Sequence, residues 1–147
     1  VQSFRVEHDA REPVGYVFED AGGTRIGVIT DTGHLTPDAR GALQDCDVLG
    51  IECNHDVETL EKGPYPWFLK QRILSSRGHL SNSCAGEALG LLAGDGLRHV
   101  VALHISDTNN TAALAERAMA AALCDAGVTA PVTVCPQGIG PVSTGCD

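Results

Sequence analysis

His8, Asp31 and His104 each stand where an apolar run of this 147-residue chain stops. VQSFRVE runs into His8, RIGVIT runs into Asp31 and HVVALH ends in His104. A fourth run, VLGIEC, gives way to Asn54, His55 and Asp56. Open α/β folds bind their ligands just outside the carboxyl ends of their strands, so this repetition predicts one site gathered from distant parts of the chain. Imidazole and carboxylate together point to zinc, manganese or iron(II). Singly, each residue has a plainer reading: Asp31 in VITDTG bonds its own turn, and His8 or His104 is a satisfied core histidine. Three ligand-type side chains at three strand ends are hard to explain as independent accidents.

The elements that must carry these residues follow from local pattern. VQSFRVE alternates like a half-buried strand, and VGYVFED, AGG and RIGVITD read as a hairpin turned by its glycines. Thr36 before Pro37 is a helix start for PDARGALQD, and VLGIEC returns as a buried strand. PYPWFLKQRILSS reads as a helix stopped by Gly78, with His79 in the connection beyond it. Ser81 or Asn82 caps SCAGEALGLLAG. HVVALH is a strand, TAALAERAMAAALCDAG a long helix and PVTVC a last strand. Strands first and alternating helices and strands after them predict an α/β domain, a mixed sheet with helices on one face, over residues 1–136. The other sheet face is left needing a partner layer. Residues 137–147 are expected to form a loose glycine-rich tail.

Composition narrows the class. The chain is long enough for one domain, and 43% hydrophobic residues supply an ordinary core. No apolar stretch reaches the roughly 20 residues of a membrane span and no signal segment opens the chain, so a cytoplasmic protein with no membrane partner is expected. The six cysteines form no C-x-x-C pair and read as reduced core thiols. A net charge of −9 repels polyanions at long range. Nucleic acid must then be held by metal ions or by a local basic patch, and Lys62, Lys70, Arg72 and Arg77 form one. The only methionine is Met119 and Val1 already lies within a strand pattern, so the chain reads as a piece of a longer protein. No G-x-S-x-G elbow is present, and the G-I-G at Ile139 has no helix after it, which argues against a serine hydrolase and a dinucleotide loop.

The blocks HDAREPVGY, ITDTG, IECNHDVETLEKGPYPWFLKQRI, GHLSN and LHISDTNN resemble the metallo-β-lactamase-fold hydrolases of the YycJ/WalJ (VicX) type. More distantly they are similar to ribonuclease Z and the phosphodiesterase PhnP. The resemblance implies the C-terminal half of an αββα sandwich. It implies that His8 binds one metal, Asp31 bridges two and His104 binds the second. The histidine of GHLSN, His79, is implied as the extra catalytic residue of the phosphodiesterase branch, contacting phosphate or the leaving group. Glu52, Asn54, His55 and Asp56 are placed near the cleft without assigned roles. The family's H-x-H-x-D-H signature does not occur in this chain, so the half alone is expected to bind metal poorly and catalyse little.

The chemistry agrees with these roles. Two divalent ions, zinc or else manganese, held about 4 Å apart can share a hydroxide and clamp phosphoryl oxygens during in-line attack. Asp31 can bridge both ions as an imidazole cannot. A histidine near the leaving oxygen, the place implied for His79, could donate a proton to it, and Arg72, Arg77 and Asn82 are candidate phosphate contacts. The leading expectation is therefore a phosphodiesterase or nuclease acting on a phosphodiester, DNA or RNA. A lactam or thioester hydrolase on the same fold is the alternative, and a non-catalytic α/β module is the third reading. A bare sheet face also makes a homodimer an expectation.

Overall fold

A computed structural model of the chain describes residues 1–137, so the expected tail lies outside the described residues except for Gln137. Six strands form one sheet in the order β1 (Gln2–Arg5), β2 (Val14–Glu19), β3 (Arg25–Ile29), β4 (Val48–Glu52), β5 (His99–Ile105) and β6 (Val132–Pro136). The first two pairings are antiparallel and the last three parallel. The sheet is therefore mixed, as the element order predicts. Strands β1, β3, β4 and β5 all run the same way, so His8, Asp31, Glu52 and His104 come to one edge.

The parallel crossovers run through α1 (Pro37–Leu43), then α2 (Val57–Lys62), α3 (Trp67–Ile73) and α4 (Asn82–Leu92), then α5 (Ala112–Asp125). Each crossover moves one strand further in the same direction, and right-handed crossovers of that kind stack their helices on one face. Accordingly α1 packs on α4 and α4 on α5, with Leu43, Leu49, Ile51, Leu89, Val100 and Met119 buried between helices and sheet. Phe4 lies across its strand partner Gly15, where a Cβ would stand 2.3 Å from the ring.

The opposite face keeps its apolar side chains open. Val14, Tyr16, Phe18 and Ile26 are each about two-fifths exposed. Tyr16 pairs with Val28, and Phe18 with Ile26. No described helix is long and apolar enough to cross a membrane.

Helix starts follow local chemistry. Thr36, Ser81 and Thr111 each accept a backbone N–H in the first turn of α1, α4 and α5. Two elements differ from the sequence reading. The helix expected from Pro64 begins only at Trp67, because Pro64 and Pro66 hold the chain extended before it. Helix α2 was not expected, and Asp56, read as a cleft acid, is its N-cap, accepting the Thr59 N–H at 2.9 Å.

Candidate metal centre

The carboxyl edge of the sheet opens into a cleft of about 570 Å³ whose lining includes His8, Asp31, Asn54, Arg72, His79 and His104. Asp31 Oδ1 lies 4.0 Å from His8 Nε2, 3.8 Å from His79 Nδ1 and 3.7 Å from His104 Nδ1. The imidazoles form a short row with His79 in the middle, its ring centroid 5.0 Å from His8 and 5.1 Å from His104, the first pair tilted at 53° and the second edge-on at 66°. Ligand atoms of Asp31, Glu52, His79 and His104 all fall within 4.8 Å of one another.

Backbone shape helps set this convergence. Asp31 and His104 both occupy the left-handed region, at φ 54° and 56°. Aspartate and histidine tolerate that region better than most residues, yet it still carries a cost that local contacts must offset. The pairing of β5 with β6 shifts register between Ala102 and Ile105, so His104 sits in a bulge that re-aims its side chain from the strand.

Glu52 organises the imidazoles from beneath. Its side chain is fully buried at the end of β4. Oε1 accepts Nδ1–H from His104 at 2.6 Å and from His79 at 2.8 Å, while Oε2 accepts the backbone N–H of Thr32 and of Leu80, both at 3.2 Å. With each oxygen already receiving two bonds, the carboxylate is saturated and acts as a positioning group, not a ligand. Burial alone would raise its pKa, but the bonds from His104 and His79 and from Thr32 outweigh that and hold it at about 2. In return the Glu52 carboxylate raises the pKa of His104 against its own partial burial.

His8 is anchored in the same manner by another partner, its Nδ1–H directed at the Gly78 carbonyl at 3.1 Å. All three rings thus have Nδ1 committed to an oxygen, which leaves Nε2 for a ligand on His79 and His104, while His8 Nε2 lies 3.3 Å from Asp9 Oδ1. A second acceptor fixing the tautomer and the ring is how metal-binding histidines are held. The donor set therefore fits a hard or borderline divalent ion such as zinc or manganese.

Close backbone packing ties the loops together. A Cβ on Gly33 would stand 2.3 Å from the Ser76 carbonyl oxygen, and one on Gly78 would stand 2.2 Å from that of Ile73. The turn after Asp31 and the turn before His79 are thereby pressed against each other.

The remaining candidates separate. Asn54 lines the cleft and donates its amide to the His104 carbonyl at 3.1 Å. Arg72 lines it too and forms an ion pair with Asp9, a residue the sequence reading left out. Arg77 lies beside the cleft and donates to the His8 carbonyl at 3.4 Å. His55 is buried, and desolvation lowers its pKa to about 4. Asn82 does not reach the cleft: its amide exchanges hydrogen bonds of 2.9 and 2.8 Å with that of Asn110, which packs α4 against the start of α5. Glu52 lacked a role in the sequence reading, although a glutamate closing a buried strand is a signal in itself, since such a group is almost never buried unpaired.

A family model described as a β-lactamase superfamily domain matches residues 1–105. The chain belongs to the β-lactamase superfamily. Within that superfamily it is 38% identical over 127 residues to the exodeoxyribonuclease YycJ of Bacillus anthracis, covering 86% of this chain and 48% of that one. It is 40% identical over 126 residues to the exodeoxyribonuclease WalJ of Streptococcus pneumoniae, covering 86% and 46%. The chain spans about half the length of the curated relatives it matches. Its fold is similar to that of the metallo-β-lactamase fold protein YhfI from Bacillus subtilis, at a TM-score of 0.62 and 14% identity over 93% of this chain and 46% of that one. It is also similar to that of a diphosphatase from the PhnP family, at a TM-score of 0.55 and 16% identity over 93% and 40%. The metallo-β-lactamase fold and the likeness to the YycJ/WalJ proteins, both expected from the sequence blocks, are thus shown.

Proposed function

We propose that this chain supplies the C-terminal half of a metal-dependent phosphodiesterase or nuclease whose centre takes two divalent ions. The convergence of Asp31 with three imidazoles, each fixed through Nδ1, carries this reading. The relatives named exodeoxyribonucleases support DNA as the substrate. In this reading His8 and His104 would each hold an ion and the Asp31 carboxylate would be their common ligand. Such ions supply polarisation of a water and of the phosphoryl oxygens.

The chain's own residues do the rest. His79, the middle ring of the three, keeps its Nδ1–H on Glu52, so Nε2 is the atom that takes up and delivers a proton to the leaving oxygen. Glu52 stabilises the charged ring while it carries that proton. Arg72 exchanges Asp9 for a phosphate oxygen as substrate enters, and Arg77 adds positive charge beside it. Cys46 and Cys53 are buried as core thiols while Cys84 and Cys124, also expected in the core, are exposed, and free thiols of both kinds fit a reducing cytoplasmic setting. The open apolar face around Tyr16 and Phe18 supports closure by a further layer, whether a second copy or additional chain.

The test is hydrolysis of bis(p-nitrophenyl) phosphate and of nitrocefin by the full-length protein, before and after chelation. Diester turnover that chelator abolishes and zinc or manganese restores is the expected result. Nitrocefin turnover without diester turnover would overturn the reading in favour of a lactam hydrolase.

A further inference from the structure

Residues 62–77 hold four of the ten basic side chains, three of the six aromatic ones and no carboxylate, in a chain whose net charge is −9. Within this stretch Trp67 and Phe68 are 72% and 73% exposed. They stand on the first turn of α3, the same helix whose Leu69, Arg72 and Ile73 wall the cleft, with Tyr65 just ahead of it. The helix thus has one side on the candidate centre and a bare aromatic pair beside it. Lys70 lies between them, its Nζ held by the carbonyls of Glu61 and Gly63 at 2.7 and 2.8 Å and by no ion pair among the described residues.

We infer that Trp67 and Phe68 are a stacking platform for unpaired bases of a single-stranded nucleic acid whose backbone runs past Lys70 and Arg72 into the cleft. This deepens the phosphodiesterase reading and rests on it. Phe68 and Arg72 are four residues apart on α3 and share a face of the helix, so a base on the Phe68 ring neighbours a phosphate at the guanidinium. Aromatic faces accept any base once it is unpaired, and interleaved cations track the backbone between bases. A duplex keeps its base faces covered, so the platform selects single strands or frayed ends. Lys62 and Arg72 pair with Glu58 and Asp9, but Lys70 and Arg77 form no ion pair among the described residues, and an apolar protein partner would account for the two rings but not for cations set beside them.

The experiment uses full-length protein in chelator, a dT15 oligonucleotide and a blunt 15-base-pair duplex. Saturable quenching of Trp67 emission by dT15, absent in Trp67→Phe, is expected. Trp67→Phe should bind dT15 nearly as well as the parent. The double variant Trp67→Ala/Phe68→Ala should bind it about tenfold or more weakly. With metal restored, that variant should show a similarly raised KM for single-stranded DNA, with kcat and bis(p-nitrophenyl) phosphate turnover unchanged. Unchanged dT15 affinity in the double variant would overturn the inference, as would equal weakening of duplex binding. Loss of a dimer in the double variant without loss of dT15 affinity would overturn it too, assigning the rings to a protein interface. Failure of the parent protein to hydrolyse any diester would instead sink the catalytic reading, since the binding assay needs no turnover.

Discussion

Glu52 and His104, 52 residues apart in sequence, share a 2.6 Å hydrogen bond between a fully buried carboxylate and Nδ1 of an imidazole at the next strand end. That bond fixes which nitrogen of His104 faces the cleft. Replacing Glu52 with Gln keeps the volume but weakens the acceptor and sets an amide N–H against one of its donors. Metal affinity of the full-length protein should fall about 10 to 100-fold, measured by competition with a chromogenic chelator. Unchanged affinity would show that Glu52 does not orient the site.

The same bond predicts a pH dependence for the metal-free protein. Glu52, held at about 2 against an ordinary 4.5, contributes on the order of 3 kcal/mol that is complete above pH 4.5 and lost as pH falls towards 2. His104, with its pKa raised above 6.5, contributes stability that is complete below 6.5 and lost as pH rises through its folded value. Urea unfolding across pH should therefore show greatest stability at about pH 5 to 6. A profile flat from pH 6 to pH 3 would contradict the assignment of Glu52.

His79 as proton donor predicts a dependence on leaving group. His79→Ala should lower kcat on DNA by about 100-fold or more, because the departing alkoxide needs a proton. On bis(p-nitrophenyl) phosphate the loss should be much smaller, because nitrophenolate leaves without one. Equal losses on both substrates would assign His79 to metal binding or to structure.

Packing at the loops gives a stability prediction. Gly78→Ala would place a Cβ 2.2 Å from the Ile73 carbonyl oxygen and shift the carbonyl that anchors His8. Thermal denaturation should show a loss of about 1 to 3 kcal/mol. Gly41→Ala, in α1 with nothing within 4 Å of its Cβ, should instead gain about 0.5 to 1 kcal/mol.

Asp31 and His104 were legible in sequence because each stands at the end of an apolar run, and His8 because its strand alternates up to it, whereas His79 follows the polar turn SSRG and was reached only through the resemblance of the GHLSN block. Residues placed by long-range pairing were not legible in the same way. Nothing local marks Asn82 as the partner of Asn110, and Asp9 meets Arg72 only because α3 folds over the cleft mouth. Asp56 offered a carboxylate beside a histidine, yet its side chain is spent on capping α2. Helix α2 itself, six residues long, is too short for periodicity to show. A mixed sheet with helices on one face was legible from the order of the elements, whereas the left-handed backbone of Asp31 and His104 appears only in three dimensions.

The central claim is that Asp31 joins two metal ions held by the imidazoles around it. Its most direct test is the number of zinc or manganese ions bound per full-length molecule after equilibrium dialysis, for the parent protein and for Asp31→Asn. Asparagine tolerates the left-handed backbone at φ 54°, so the fold should persist. Two bound ions in the parent and at most one in the variant is the predicted result. Two ions retained at unchanged affinity in Asp31→Asn, or none bound by the parent, would contradict the account.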